Sequence, residues 1–271
     1  MKLGRTVLLW AGILAVGLPL LWVLVASLKV SLDVIADPWG IPNPPKWANY
    51  GDAWTEANIG TGFLNSLIAT LGTLVILLPI GSMTAYVFAR YPFRGSGALY
   101  ALMLGGMMFP IFLVIVPLFI LMRQLALLNS LPGLILVYVA FSLSFTVFVM
   151  RGFFEVIPEE LAEAARMDGA GHAGVFWKVM FPLARPGLVV AGIFNAIGLW
   201  NEYGLALVLL QKPEVRTLPL AVADLSQTQQ YQANFGALFA ALVIVMAPLL
   251  VAYGFFRRRL HEAMIAGAVK G

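Results

Sequence analysis

Pro158 to Gly187 reads PEELAEAARMDGAGHAGVFWKVMFPLARPG, and this stretch decides the fold. It gathers Glu159, Glu160, Glu163, Arg166, Asp168, His172, Lys178 and Arg185 between two runs, 131–150 and 188–210, whose only charged residue is Glu202. A helix needs about 20 apolar residues to cross the hydrocarbon core of a bilayer. Both runs fit that length, so the charged stretch is a connection outside the membrane.

Its local structure follows from residue types. Pro158 suits the first position of a helix, where a missing N–H costs nothing, and Glu159, Glu160 and Glu163 favour the positive end of the helix dipole. Leu161, Ala162, Ala164, Ala165 and Met167 tolerate or favour helix, Glu163 can reach Arg166 one turn on, and Gly169 is a natural terminator. The expectation is a helix of about ten residues in which Leu161, Ala164, Ala165 and Asp168 share a flat, small-residue face. A connecting helix at the membrane surface and a docking helix for another protein both fit that description.

Composition carries the reading outward. Of 271 residues, 61% are hydrophobic and 11% charged, with a mean hydropathy of +0.90, whereas a soluble domain is about a quarter charged. This implies an all-α membrane protein forming a single transmembrane domain over 1–271. The chain has no cysteine, which excludes a disulfide framework and thiolate metal sites. The net charge of +4 comes mainly from loops and reads as topology, with no nucleic-acid partner implied.

Six spans are expected, at about 7–28, 63–89, 98–122, 131–150, 188–210 and 235–256. The first follows Lys2 and Arg5 and is longer than the apolar core of a signal peptide, about 7–15 residues, so it reads as a retained span. Residues 29–62 turn polar and irregular, with Pro38, Pro42, Pro44 and Pro45 breaking any helix and Trp39, Trp47, Tyr50 and Trp54 among them. Such aromatics suit the headgroup layer, and a surface for an external partner is the alternative. Pro110 and Pro117, with Gly105 and Gly106, either permit bending of the third span or simply pack.

With the N-terminus inside, the inner segments hold Lys2, Arg5, Arg90, Arg94, Arg151, Arg166, Lys178, Arg185, Arg257, Arg258, Arg259 and Lys270. The outer ones hold Lys29, Lys46, Arg123, Lys212 and Arg216, a split of twelve against five among the 17 Lys and Arg. Cytoplasmic loops collect such charges. Both termini, the connection 158–187 and the tail 257–271 are therefore expected in the cytoplasm.

The order Glu163-Ala164-Ala165, three residues, Gly169, nine residues, then Val179-x-Phe181-Pro182 resembles the EAA loop of binding-protein-dependent ABC importers. Val179 stands for the usual Ile and Phe181 for the usual Leu. Further stretches look like the MalG-type permeases of carbohydrate importers: PLLWVLVASLK (19–29), FLNSLIATLG and AYVFARYPFRG (63–72 and 85–95), WNEY (200–203), RTLP (216–219) and AGAVKG (266–271). Residues 98–150 agree only in hydropathy.

The resemblance implies a type I ABC importer permease with six transmembrane helices and a coupling helix between the fourth and fifth, in the cytoplasmic (inner) membrane of a bacterium or archaeon. Its implied partners are a second, different permease subunit, two cytoplasmic ATPase subunits, an extracytoplasmic substrate-binding protein and membrane lipid. ATP and Mg would be bound by the ATPases; the chain lacks a G-x-x-x-x-G-K-[ST] phosphate loop and needs no cofactor or metal of its own. The ATPase-coupling positions would be Glu163, Ala164, Ala165, Asp168, Gly169 and Pro182, with Ala266, Gly267 and Lys270 of the tail as a second ATPase contact.

Polar residues inside spans tend to face the bundle interior. Candidates for the substrate path are therefore Asn65, Ser66, Asn195, Trp200, Asn201, Glu202 and Tyr203, with interhelical hydrogen bonding as the competing role. No catalytic constellation is visible, so the chain reads as a transport subunit and not an enzyme. A sugar is the implied cargo and a polyol phosphate the alternative. A self-sufficient secondary transporter would usually show internal repeats and more than one ionisable residue at midmembrane. Only Glu202 is present.

Overall fold

The computed structural model describes residues 2–55, 58–232 and 234–268, and among them every regular element is helical. In chain order these are α1 (Lys2–Ala26), α2 (Ser31–Ala36), α3 (Ala48–Thr55), α4 (Ile59–Arg90), α5 (Ser96–Met108), α6 (Ile111–Gln124), α7 (Leu131–Val156), α8 (Glu160–Met167) and α9 (His172–Val175). A π-helical turn (Phe176–Met180) leads into α10 (Phe181–Leu183), then α11 (Arg185–Trp200), α12 (Gly204–Leu209), a 3₁₀ turn (Pro213–Val215), α13 (Leu218–Gln232) and α14 (Phe235–Ala268). Among the described residues three helices are long and apolar enough to cross a membrane, Ile59–Arg90, Leu131–Val156 and Phe235–Phe255. The number reaches five if two bent helix pairs each count as one span.

The helices group into two compact units, Met1–Asn65 with Arg216–Ala252 and Ser66–Val215 with Tyr253–Gly271. In the first, the segment after α1 is not irregular throughout. It holds α2 and α3, while the prolines keep 37–47 free of helix. Two polar side chains organise it. Lys29 is buried, and its Nζ donates to the carbonyls of Asp37 (2.6 Å) and Pro38 (3.1 Å). Asn49, also buried, donates from Nδ2 to Ser27 O and Lys29 O, both at 2.8 Å. Buried polar groups must find such partners, and here the partners are carbonyls of the loop, that of Pro38 being shared with Trp22 Nε1 at 2.8 Å.

The second unit is built on α4, α7 and α11. α4 and α7 approach closely at Gly81, where a Cβ would stand 2.5 Å from Thr146 Cγ2; small residues of this kind let membrane helices touch. Two expected continuous spans are broken. The run 98–122 bends by 100° between α5 and α6, because a residue before proline is pushed out of the α region: Phe109 has ψ 125° and Pro110 ψ 127°. Pro117 lies inside α6 without interrupting it. The run 188–210 stops at Trp200 and resumes at Gly204, and a further bend of 72° separates His172–Leu183 from Arg185–Trp200.

Candidate functional site

The helix expected from Pro158 onward is α8, starting at Glu160 with Glu159 as its N-cap residue. Its end is built by hydrogen bonds. Gly169 has φ +85°, the Gly169 N–H donates to Arg166 O and the Ala170 N–H to Ala165 O, both at 3.0 Å. That pair of bonds, with a glycine in the left-handed region between them, is a Schellman motif. It needs glycine for its backbone alone, since nothing lies within 4 Å of a Cβ built there.

The seat of α8 is a cluster formed by Ala85, Tyr86, Val147, Met150, Phe154, Ala162, Val175, Phe176, Met180, Ala184 and Ala191, against which Ala165 and Ala170 also pack. Tyr86 is the hub, with ring centroids 5.4 Å from Phe154 and 5.3 Å from Phe176. Phe176 belongs to the π-helical turn, so one extra residue in that turn aims its ring at α4 and α7. Pro182 follows two residues after Met180, half-buried.

This seat corrects two expectations for α8. Ala165 turns inward with Ala162, which is 5% exposed, and does not share the open face. That face carries Leu161, Ala164, Met167 and Asp168 with Glu163 beside them, and Met167 is 88% exposed. Arg166 pairs with Glu159 at 3.8 Å in place of Glu163. The inward direction is set by contacts with α4, α7 and the π-helical turn, which no local periodicity contains.

From the sequence, Arg90 entered only as one of the inner-segment charges and, with Tyr91, as part of the stretch AYVFARYPFRG. In the structure Arg90 Nη2 donates to Phe154 O at 2.6 Å and also to Ile157 O, and Nη1 lies 3.9 Å from Glu159 Oε2. Tyr91 Oη and His172 Nδ1 share a hydrogen bond of 3.0 Å. The available signal was an arginine closing an apolar helix, but its acceptors lie 64 and 67 positions away.

The expected pathway residues are largely engaged with the protein itself. Within the first unit, Asn65 Nδ2 donates to Arg216 O at 2.9 Å. Within the second, Ser66 is buried on α4, and Asn195, 6% exposed, donates to Thr146 Oγ1 (2.9 Å) and Ala191 O (2.8 Å). Trp200 is buried, Tyr203 is partly exposed, and Asn201 donates back to Ile197 O at 2.8 Å. Glu202 does two jobs. It accepts the Tyr138 hydroxyl proton at 2.7 Å and caps α12 by accepting the N–H groups of Leu205 (2.6 Å) and Ala206 (3.1 Å). Tyr138 and Thr146 are eight positions apart on α7, so Glu202 and Asn195 bind one face of that helix.

Ala266 and Gly267 lie in the last turns of α14, and Lys270 lies outside the described residues. Among the described residues no group of His, Cys, Asp and Glu could hold a metal ion.

Comparison with known proteins adds independent observations. Residues 77–265 match the family model of the binding-protein-dependent transport system inner membrane component. The chain is 42% identical to the diacetylchitobiose uptake system permease NgcG of Streptomyces coelicolor over 263 residues, covering 97% of this chain and 86% of that one. It is 36% identical to the trehalose transport system permease SugB of Mycobacterium tuberculosis over 254 residues, covering 94% and 92%. Its backbone superposes with a TM-score of 0.78 and 25% identity, over 95% of both chains, on a chain from the crystal structure of a bacterial ABC transporter that imports the acidic polysaccharide alginate.

Proposed function

Since the chain belongs to the family of binding-protein-dependent transport system inner membrane components, we propose that α8 is its coupling helix, through which ATP hydrolysis on separate cytoplasmic ATPases drives solute import. The observation that carries this reading is the division of α8 into two faces. Ala162 and Ala165 lock the helix onto α4, α7 and the π-helical turn, leaving Leu161, Ala164, Met167 and Asp168 open to a partner. Leu161 and Met167 expose apolar surface on either side of the small Ala164, and grouped apolar surface outside the membrane suits a protein contact. Glu163 and Gly169 then orient and end the helix, and Pro182 closes the loop behind it.

In this reading six spans cross the cytoplasmic membrane of a bacterium or archaeon: α1, α4, the bent pair α5 and α6, α7, α11 continued by α12, and α14. Both termini are cytoplasmic, as the distribution of Lys and Arg favours. The chain works with a second permease subunit, two ATPases that bind ATP and Mg, and an extracytoplasmic binding protein, and it has no catalytic site of its own. The tail around Ala266, Gly267 and Lys270 reaches the ATPases. ATP binding shifts the permease pair between two conformations because the ATPases contact α8 differently in each.

The cargo is a carbohydrate. Support comes from the relatives, named for diacetylchitobiose and trehalose uptake. Little of the selectivity rests on Asn195 and Glu202, whose hydrogen bonds are already made within the protein. The test is reconstitution of the importer purified through a tag on this chain, followed by assay of uptake of labelled di- and oligosaccharides with ATP. ATP-dependent uptake of at least one supports the reading. Uptake by this chain alone under an ion gradient would contradict it.

A further inference from the structure

Arg90 closes α4 and is only 13% exposed at its side chain. Its guanidinium holds the carbonyls of Phe154 and Ile157 at the end of α7. The last carbonyls of a helix have no partner within it, and positive charge is favoured beside them. The same guanidinium faces Glu159, which in turn faces Arg166 on α8. One turn earlier on α4, Tyr86 packs on Phe154 and Phe176. The end of α4 is thus fastened both to α7 and to the start of α8, by a planar fork that a lysine cannot reproduce.

We infer that Arg90 is a positioning residue that makes α8 and the end of α4 one rigid body, so that a displacement imposed on α8 is delivered to the α4 span. The inference rests on the coupling reading of α8. Without the fork, α8 keeps its apolar seat but its displacement is absorbed where Ile157 and Pro158 join it to α7. A staple that only stabilised the fold would alter the amount of importer recovered and leave the number of ATP molecules consumed per solute unchanged.

Because the chain has no cysteine, spin labels can be placed at Val87→Cys on α4 and Glu160→Cys at the start of α8, both exposed and neither assigned to the ATPase contact. The distance between them is measured in the purified importer, nucleotide-free and with a non-hydrolysable ATP analogue. With Arg90 present the distance is the same in both states; in Arg90→Met it broadens or shifts, and ATP consumed per solute imported rises about tenfold, within the usual range of coupling energies. Arg90→Lys retains part of the coupling. A distance that changes between states with Arg90 present overturns the inference, as does Arg90→Met with unaltered stoichiometry. If Arg90→Met does not assemble, the distances with Arg90 in place decide. A cross-linker at Met167 that captures no ATPase, with the distance constant, would instead sink the coupling reading of α8.

Discussion

Glu202 shows how an ionisable residue at the break between two apolar helices, α11 and α12, can be wholly occupied by its own protein. Its carboxylate takes three hydrogen bonds, two of them the N–H groups that begin α12, so it repairs the helix break at Asn201–Tyr203. Tyr138 is 1% exposed and would lose its partner in Glu202→Ala. A buried donor left unmade costs about 1–3 kcal/mol, whereas removing both partners costs less. We therefore expect Glu202→Ala to lower the thermal unfolding temperature more than Tyr138→Phe, and adding Tyr138→Phe to Glu202→Ala to cost little more. Transport by either single variant should keep the KM of the parent. A large rise in KM with unaltered stability would return Glu202 to the substrate path.

At the scale of the element, α8 depends on its C-terminal glycine and on its seat. Gly169→Ala places a Cβ in the left-handed region at a cost of about 1–2 kcal/mol, and Gly169→Pro both forbids φ +85° and removes the N–H bonded to Arg166 O. The proline variant should reach the membrane in normal amount and lose most uptake; near-parental uptake at normal expression would contradict the role of α8. On α4, Gly81→Val pushes against Thr146 and should destabilise by about 1–3 kcal/mol, the range for overpacking, measured by thermal unfolding in detergent. Much of α8 was legible because helix signals are local: Pro158, the acidic first turn and Gly169 bracket it. Its inward side was not, because periodicity alone sets Ala165 on one face with Leu161 and Ala164, until Phe176 and Tyr86 come together and seat Ala162 and Ala165. Similarly, Pro110 announced a possible bend and not its 100°. α2 and α3 escaped notice because they are short, and the bonds of Lys29 and Asn49 that support them span the loop.

At the scale of the molecule, a chain with little charge places seven of its 30 charged side chains in the connection 158–187, and that connection is also where α4, α7 and the π-helical turn converge. Convergence sets one short helix against two long ones, which is the arrangement that the proposed coupling role of α8 requires. The hydropathy pattern and the EAA spacing pointed to the same place from sequence, while Arg90, the residue that ties the elements together, was hidden by its distance along the chain. The central claim is that the open face of α8 contacts an ATPase. The most direct measurement places single cysteines at Met167, Leu161 and the buried Ala162 in the purified importer and cross-links each with a short bifunctional reagent. The ATPase subunit should be captured from Met167 and Leu161, and not from Ala162. No capture from Met167 or Leu161 in an importer that hydrolyses ATP and transports would contradict it.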